Sequence, residues 1–281
     1  MTLIDGKATS AKIKEQIKNE VLSLKQKGIT PTLAVILVGE DAASKTYVAS
    51  KEKACAACEM GSVMHRLGTN TTQRELISLI DVLNADDSID GILVQLPLPA
   101  HIDTNEILRR IDPKKDVDGF CAQNVGALVS GLNGFIPCTP LGIMVLLQEY
   151  GINVQGLNAL VIGRSNIVGK PMAALLLNAG ATVTVAHSKT KDLASVAKQA
   201  DLIVAAVGKP HFLTRDMIKD GAIIIDVGIN RLESGKLVGD CDFENIKEKC
   251  SFITPVPGGV GPMTIAMLLS NTLKSAKERK L

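Results

Sequence analysis

Residues 160 to 188 read LVIGRSNIVGKPMAALLLNAGATVTVAHS, and this stretch decides the fold of the second half of the chain. An apolar strand ending at Ile162 is followed by a turn that opens with Gly163, a helix that begins near Gly169, and a second apolar strand. This order is typical of a βαβ unit that binds a dinucleotide, because free N–H groups and the helix dipole favour the pyrophosphate at the helix N-terminus. The turn has the spacing Gly-x-Ser-x-x-x-Gly rather than Gly-x-Gly-x-x-Gly, so an ordinary strand–turn–helix is the alternative.

The residues around this turn indicate which nicotinamide cofactor is expected. A carboxylate at the end of the second strand would hold the ribose 2′-hydroxyl of NAD and repel a 2′-phosphate. Here the strand ends in His187 and Ser188, and Arg164 lies inside the turn. Because Arg and Ser suit a phosphate group, the sequence predicts NADP as the cofactor.

The composition is that of a globular enzyme. The chain has 281 residues, of which 46% are hydrophobic and 21% charged, with a formal net charge of +2. This length accommodates one large or two modest domains. Aromatic residues make up only 2% and there is no basic run, which argues against a nucleic-acid partner. No apolar run approaches the ~18 residues of a membrane span, and the charged start at Asp5 and Lys7 does not resemble a signal peptide, so we expect a cytoplasmic protein.

Cys55 and Cys58 form a C-x-x-C pair, which raises the question of a metal or redox site. No second pair and no histidine cluster stands nearby, and the segment has the pattern of a helix interior. We therefore expect buried thiols and no metal site.

Strands and helices alternate along the chain, which favours parallel sheets covered on both faces. Strands are expected over residues 33–38, 63–67, 91–96, 202–207 and 222–227, and helices over 7–27, 43–60, 72–83, 140–150 and 262–279. A hairpin is expected over 231–238 and a loop-rich region between Pro97 and Pro140. We predict an α/β protein of two lobes, one formed by residues 1–138 together with 262–281 and the other, Rossmann-like, by 139–261.

Two polar groups in the first lobe are candidates for chemistry. Tyr47 and Lys51 are four residues apart and so share one helix face. A lysine that faces a partly apolar environment has a lowered pKa and can act as an acid or base near neutrality; the alternative is a packed Tyr above a solvated Lys. Gln95 ends an apolar strand, where it could hold Lys51, bind substrate or simply cap the loop.

Two further segments could bind a ligand. Asp118 precedes Gly119, and its carboxylate could accept two hydrogen bonds from an amidine-like ring edge or bind its own turn. Residues 255–264 read PVPGGVGPMT, a stiff loop whose bare backbone could approach a flat ligand or serve as a plain helix entry.

Taken together, these segments resemble the bifunctional methylenetetrahydrofolate dehydrogenase/cyclohydrolase family over nearly the whole chain. The motifs that carry the resemblance occur in order at matching spacing: Tyr47-x-x-x-Lys51, Val94-Gln-Leu-Pro-Leu-Pro99, Lys115-Asp-Val-Asp-Gly-Phe120, Gly163-Arg-Ser-Asn-Ile-Val-Gly-Lys-Pro171 and Pro255 to Thr264. The resemblance implies an N-terminal α/β catalytic lobe that binds folate and a C-terminal Rossmann-like NADP lobe, with a cleft between them. It also implies a homodimer formed through the nucleotide domain.

The resemblance implies two reactions and a role for each residue. NADP⁺ would take a hydride from 5,10-methylenetetrahydrofolate, and water would convert the 5,10-methenyl product to 10-formyltetrahydrofolate. Lys51 would be the acid/base of the water step, oriented by Gln95, with Tyr47 against the pterin. The implied substrate-binding residues are Asp118, Pro257, Gly258, Gly259 and Pro262, and the implied cofactor-binding residues are Gly163, Arg164, Ser165, Ser188 and Ile229.

Two positions depart from the family pattern. Cys121-Ala122 stands where His-Pro is common, and Ala42 where Pro is common, which leaves local loop shape open. An NADP dehydrogenase for another small acid, such as a shikimate-type alcohol, and a noncatalytic NADP-binding regulator are the alternatives. The regulator would gain nothing from the joint presence of Tyr47, Lys51 and Gln95.

Overall fold

A computed structural model describes all residues from Met1 to Leu281. The helices are α1 (Gly6–Lys25), α2 (Ala42–Ala57), α3 (Gln73–Ala85), α4 (Thr104–Arg110), α5 (Ala122–Val129), α6 (Cys138–Glu149), α7 (Gly169–Asn178), α8 (Leu193–Lys198), α9 (Phe243–Ile246) and α10 (Val260–Lys280). The strands are β1 (Thr2–Leu3), β2 (Thr32–Val38), β3 (Gly61–Leu67), β4 (Gly91–Val94), β5 (Asn158–Ile162), β6 (Thr182–Ala186), β7 (Leu202–Ala205), β8 (Ala222–Asp226), β9 (Asn230–Arg231), β10 (Leu237–Val238) and β11 (Cys250–Ile253). Short 3₁₀ turns occupy Arg215–Met217 and Lys247–Lys249.

The chain divides into two compact units. The six-stranded unit comprises Met1–Ala11, Leu128–Leu132 and Thr139–Thr264, and the three-stranded unit comprises Lys12–Ala127, Asn133–Cys138 and Ile265–Leu281. This division differs from the domain boundaries expected from the sequence, which placed residues 1–11 with the three-stranded unit. The reason is β1, which pairs in parallel with β11, and the Ile4 amide, which donates to the Ile253 carbonyl at 2.8 Å.

The six-stranded unit is built on a parallel sheet in the order β1-β11-β8-β7-β5-β6. Strand β7 lies inside the sheet, and all four of its residues are buried, which matches its unbroken apolar sequence. Side chains of Leu160, Ile203, Ile224 and Ile253 belong to one core cluster. The predicted Rossmann-like α/β architecture of this part of the chain is thereby confirmed.

The three-stranded unit contains a second parallel sheet, in the order β3-β2-β4. The central strand β2 buries every residue after Thr32, and helix α3 covers one side of the sheet through Leu76 and Ile80. Helix α3 begins with a capping box, because Thr72 accepts from the Glu75 amide while the Glu75 carboxylate accepts from the Thr72 amide. Strand β4 ends at Val94, so Gln95 lies at the carboxyl end of the sheet.

The structure contains several short elements where the sequence predicted a loop or nothing, namely β1, α4, α5, α8 and α9. Helix α4 has only seven residues, and its start is set by the Asp103 carboxylate, which accepts from the Asn105 amide at 2.9 Å. Helix α5 contains no charged residue, so no polar face marked it in the expected loop region between Pro97 and Pro140. Strand β1 has two residues, too few to show a pattern.

The six cysteines are all free and buried. Burial is the main cause that raises the pKa of the Cys55 thiol to about 12. The interpretation of the C-x-x-C pair as buried thiols is confirmed. None of the helices is long and apolar enough to cross a membrane.

Candidate active site

The candidate catalytic residues meet at the carboxyl end of the sheet in the three-stranded unit. Helix α2 supplies Tyr47 and Lys51, and its N-terminus is capped by the Asp41 carboxylate, which accepts from the Ser44 amide at 2.7 Å. Gln95 follows β4, and its amide donates to the Ile36 carbonyl of β2 at 2.8 Å. The helix and the sheet therefore each hold one side of the site rigidly.

Lys51 and Gln95 contact each other directly. The Nζ of Lys51 donates to the Oε1 of Gln95 at 2.9 Å. The Nε2 of Gln95 in turn donates to the carbonyl of Leu96 at 2.7 Å. The Leu96 carbonyl can only accept a hydrogen bond, so it orients the amide such that its oxygen faces the lysine. Of the roles left open for Gln95, the geometry supports the one that holds Lys51.

Burial governs the charge state of Lys51. Desolvation lowers the pKa of its amine below the ordinary value, and the nearby Asp118 carboxylate partly opposes this effect. The same desolvation raises the pKa of Asp118, with the Lys51 charge acting in the opposite direction. Because Gln95 is neutral, it can hold either form of the amine without charging it. A lysine in this setting is suited to acid and base chemistry.

Tyr47 is more accessible than Lys51, the reverse of a packed Tyr above a solvated Lys. Tyr47 is 42% exposed, and its hydroxyl makes no hydrogen bond with the protein. Lys51, one turn later on the same helix face, is half-buried. The tyrosine ring is therefore free to contact a bound ligand.

Asp118 lies on a segment that is tied down on both sides. Gly119 has a φ of +70°, and a Cβ there would lie 2.7 Å from the Phe135 carbonyl oxygen, so only glycine fits this turn. The buried carboxylate of Asp116 accepts from the Cys121 amide at 2.8 Å. Asn271 of helix α10 donates to the Val117 carbonyl at 2.8 Å. The Asp118 carboxyl group is thereby presented by a backbone with little freedom.

Lys115, in the same segment, has a structural role. Its Nζ donates to the carbonyls of Leu83, Asn84 and Asp86 at 2.9, 2.8 and 2.7 Å. These groups lie at the C-terminus of helix α3, where carbonyls lack intrahelical partners. Sequence reasoning did not assign this residue, since an exposed and a buried lysine look alike in a turn. It anchors the segment that carries Asp118.

In the six-stranded unit, the turn between β5 and α7 is shaped by two glycines. Gly163 has a φ of +129°, and a Cβ there would lie 2.3 Å from the Ala206 carbonyl oxygen. A Cβ at Gly169 would lie 2.2 Å from the Gly163 carbonyl oxygen. The turn therefore packs backbone against backbone, as a dinucleotide-binding turn requires.

Ser165 holds the backbone at the start of helix α7 from within this turn. Its hydroxyl oxygen accepts from the amides of Val168 at 3.2 Å and Gly169 at 3.3 Å. The hydroxyl hydrogen stays available for an acceptor, so these hydrogen bonds and binding of a phosphate are compatible. The sequence spacing did not reveal this second role of Ser165.

The two predicted phosphate-binding side chains follow neighbouring strand ends. Ile162 of β5 pairs with Ala186 of β6, and the Gly163 amide donates to the Ala186 carbonyl at 2.8 Å. Arg164 and Ser188 come one and two residues later, and both are exposed. Neither side chain makes a hydrogen bond or an ion pair with the protein. A turn built on glycines, with an uncommitted guanidinium and hydroxyl beside it, fits a phosphorylated dinucleotide.

The predicted Pro/Gly loop is held by the start of the chain. A Cβ at Gly6 would lie 1.8 Å from the Gly259 carbonyl oxygen, and the Lys7 amide donates to the Gly258 carbonyl at 2.9 Å. The Ser10 hydroxyl donates to the Pro262 carbonyl at 3.0 Å. Pro257 is exposed, so the loop keeps one accessible proline while its glycines pack against α1.

Ile229 lies just after β8 and is 45% exposed. It is bracketed by a pair of buried carboxylates, Asp226 and Asp240, that sequence reasoning did not single out. The signal available for Asp226 was an acid at the end of an apolar strand, Ala222-Ile-Ile-Ile-Asp226. Asp240 is in a loop and gave no such signal.

Comparisons with known proteins identify the family of the chain. Residues 4–118 match the profile of the tetrahydrofolate dehydrogenase/cyclohydrolase catalytic domain, and residues 137–280 match that of the NAD(P)-binding domain of the same family. The bifunctional protein FolD of Campylobacter fetus is 74% identical over 280 residues, covering 100% of this chain and 99% of that protein.

Two solved structures are also similar. The bifunctional enzyme FolD from Campylobacter jejuni, a methylenetetrahydrofolate dehydrogenase/cyclohydrolase, superposes with a TM-score of 0.98 at 62% identity and covers 99% of both chains. The methylenetetrahydrofolate dehydrogenase-cyclohydrolase of Trypanosoma brucei, solved with NADP and an inhibitor, has a TM-score of 0.95 at 40% identity, covering 99% of this chain and 98% of that one.

The fold and the two sites define an enzyme with an α/β catalytic domain and an NAD(P)-binding domain. The chain belongs to the tetrahydrofolate dehydrogenase/cyclohydrolase family. The family resemblance expected from the sequence motifs is confirmed. The two alternative hypotheses, a shikimate-type dehydrogenase and a noncatalytic regulator, are therefore wrong.

The double role of Ser165 can be tested against Ser188. Ser165→Ala removes the acceptor for the amides of Val168 and Gly169 at the start of helix α7 and should lower the free energy of unfolding by about 1 kcal/mol. Ser188→Ala, a matched change at an exposed hydroxyl without a protein partner, should leave stability unchanged. Urea denaturation followed by circular dichroism measures both. Equal stability of the two variants would contradict the structural role of the Ser165 hydroxyl.

Proposed function

We propose that this chain uses NADP⁺ to oxidise 5,10-methylenetetrahydrofolate to 5,10-methenyltetrahydrofolate, and then hydrolyses this product to 10-formyltetrahydrofolate, with Lys51 as the acid/base of hydrolysis. The activity follows from membership of the family. The assignment of Lys51 rests on one observation above all: its amine has a pKa lowered by burial and is held at 2.9 Å by the neutral amide of Gln95.

The water step requires a neutral base beside a cationic substrate. A neutral Lys51 amine donates one N–H to Gln95 and keeps its lone pair for a proton of the attacking water. The resulting ammonium group returns this proton to N5 as the bond between N5 and the one-carbon bridge breaks, and the hydroxyl proton of the adduct passes to solvent. The positive charge of the methenyl substrate lowers the pKa of Lys51 further and favours the neutral form at the start.

The hydride step needs no acid or base from the protein. NADP⁺, when bound, accepts the hydride from the one-carbon bridge. The remaining requirement is alignment of two flat rings, which is a matter of positioning. Asp118 would accept two hydrogen bonds from the amino edge of the pterin, and the exposed ring of Tyr47 would pack against it. Pro257, Gly258, Gly259 and Pro262 would form a stiff wall for the substrate.

NADP is the cofactor, and the β5–α7 turn with its surroundings would hold it. Gly163 lets the backbone approach the nucleotide, and Ser165 can donate its hydroxyl hydrogen to a phosphate oxygen. Arg164 and Ser188 are exposed and uncommitted, which suits a 2′-phosphate. Ile229 would contact the cofactor through its exposed side chain. No carboxylate side chain stands at residues 187 and 188 to repel the phosphate.

We also propose that the enzyme works in the cytoplasm. Six cysteines stay free and buried in the structure, and such unpaired thiols are ordinary in a reducing compartment. Its partners would be the folate substrate and NADP, with no nucleic acid and no membrane.

Replacement of Lys51 by methionine should separate the two reactions. Lys51→Met keeps the length of the side chain but removes the amine, so cyclohydrolase turnover should fall by about 100-fold or more. The variant should fold and bind NADP. Absorbance of NADPH and of the methenyl product measures both steps with methylenetetrahydrofolate as substrate. Lys53→Met, at an exposed position of the same helix, is the control, and undiminished hydrolysis in Lys51→Met would reject the role.

The pH dependence of hydrolysis should follow the neutral form of Lys51. Turnover at saturating substrate, corrected for spontaneous hydrolysis, should rise as pH rises through the lysine pKa and then level off. The Asp118 carboxylate raises this pKa, so Asp118→Asn should move the rise to lower pH. Glu52→Gln removes an equal charge at an exposed neighbour and should leave the profile in place. A shift to higher pH in Asp118→Asn would contradict the coupling.

A homodimer is proposed through the six-stranded unit. Strand β6 is a free edge of the sheet, and it exposes Val185, while Leu177 on the adjacent α7 is 63% exposed. The hairpin of β9 and β10 is a second exposed candidate, since residues 233–236 between its strands are exposed. Light scattering should give twice the chain mass of 29.7 kDa, and a monomeric mass would overturn the proposal.

A further inference from the structure

Two buried carboxylates lie where strands β7 and β8 of the six-stranded unit end. Asp226 is the last residue of β8 and is 2% exposed, and Asp240 is fully buried. Buried acids are usually paired with a cation. The partners that surround these two are N–H groups of the backbone and one side-chain amide. Such an arrangement orders the polypeptide around it, since each carboxylate oxygen dictates where its donors lie.

Asp240 joins two segments of the chain. One of its oxygens accepts from the amides of Val207 at 2.6 Å and Gly208 at 2.9 Å. The other accepts from the Lys209 amide at 2.9 Å and from the Nδ2 of Asn230 at 2.9 Å. The loop that follows β7 and the residue that follows Ile229 are therefore held by one carboxyl group.

Asp226 holds Asp240 in turn. Its Oδ1 accepts from the Asp240 amide at 2.8 Å and the Gly228 amide at 3.0 Å, and its Oδ2 accepts from the Cys241 amide at 2.9 Å. The Asp226 amide donates to the Thr254 hydroxyl at 2.7 Å, which links the pair to the start of the Pro/Gly loop.

Glycines leave room for both carboxylates. A Cβ at Gly228 would lie 2.2 Å from Oδ1 of Asp240, and a Cβ at Gly239 would lie 1.9 Å from Oδ2 of Asp226. Any residue larger than glycine at position 228 or 239 would therefore clash with one of the two carboxylates. Burial raises the pKa of Asp226 to about 6, and the hydrogen bonds from the backbone amides of Cys241, Asp240 and Gly228 act against this shift.

The segments that the pair organises are the ones that matter for the cofactor. In parallel sheets, ligands bind beyond the carboxyl ends of the strands. Residues 207–209 follow β7, and residues 228–230, with the exposed Ile229, follow β8. We propose that Asp240, held in place by Asp226, is a positioning residue for NADP, which fixes residues 207–209 and 229–230 in the conformation that receives the cofactor. This inference rests on the proposed binding of NADP to the six-stranded unit.

Asparagine substitutions should have graded effects that follow the hydrogen bonds. Each carboxylate oxygen of Asp240 accepts two hydrogen bonds. In Asp240→Asn, either orientation of the amide therefore places the NH₂ group against two N–H donors, and two hydrogen bonds are lost. In Asp226→Asn, the NH₂ group can replace Oδ2 and face the Cys241 amide while Oδ1 keeps both donors. The loss of NADP affinity should therefore be larger at 240 than at 226. Asp220→Asn, at a side chain that is 91% exposed, is the matched control.

The measurement is the dissociation constant of NADP by calorimetry, together with cyclohydrolase turnover on methenyltetrahydrofolate and the melting temperature. Asp240→Asn should weaken NADP binding about tenfold or more, Asp226→Asn less, and Asp220→Asn not at all. Hydrolysis should fall less than NADP affinity in Asp240→Asn and Asp226→Asn, because Lys51 and Gln95 belong to the other unit. The contact to Thr254 uses the backbone amide of Asp226, which both substitutions leave in place. Should Asp240→Asn fail to fold, Asp226→Asn carries the same test.

Two results would overturn the inference. The first is NADP affinity within twofold of wild type in both substituted proteins. The second is a parallel loss of NADP affinity and hydrolysis, which would mean that the acids serve general stability only. Failure of the wild-type protein to bind NADP or to transfer hydride to it would instead reject the proposed function.

Discussion

The hydrolysis proposed for this protein depends on desolvation of the Lys51 amine, which lowers its pKa. An exposed lysine stays charged at neutral pH and has no lone pair to offer. Helix α2 places Lys51 against the end of the sheet, where desolvation lowers its pKa, and Gln95 meets it with a neutral oxygen. A carboxylate in place of Gln95 would stabilise the ammonium form and cancel the effect of burial. The hydrogen bond from Gln95 to the Leu96 carbonyl matters for the same reason, since it keeps the oxygen of the amide toward the lysine.

The Asp118 carboxylate acts on the pKa of Lys51 in the opposite direction to burial. Its charge raises the pKa of Lys51, while desolvation raises its own pKa. The two groups therefore share one low-dielectric environment and each moderates the other. In the proposed mechanism, a substrate amino edge that binds the carboxylate would direct part of its charge into those hydrogen bonds. Substrate binding would thereby be coupled to the basicity of the lysine through electrostatics.

Much of this could be predicted from the sequence, and the exceptions have physical causes. The βαβ unit and the parallel sheets follow from apolar periodicity, while the polar residue at the end of β4 made Gln95 one candidate partner of Lys51 among several roles. Strand β1 was not predictable because two residues show no pattern, and it moved the start of the chain into the six-stranded unit. Ser165 was expected as a ligand of NADP, but its hydrogen bonds with the amides of Val168 and Gly169 depend on the path of the turn. Asp240 lies in a loop, and only the fold brings seven donors to it and Asp226.

In both units, a titratable side chain is held by hydrogen bonds with uncharged groups, but the titratable group is a base in one unit and an acid in the other. In the three-stranded unit, the proposed base Lys51 would have to lose its charge, and its hydrogen-bond partner is a neutral acceptor. In the six-stranded unit, two acidic groups are buried, so their partners are N–H donors whose dipoles stabilise negative charge without introducing a titratable group. A lysine or arginine beside Asp240 would also satisfy it, but a single long side chain could not fix residues 207–209 and 230 together. Backbone donors can, because each hydrogen bond sets the position of the chain that makes it. The acids thus shape the loops at the sheet edge, and the amide shapes the reactivity of the base.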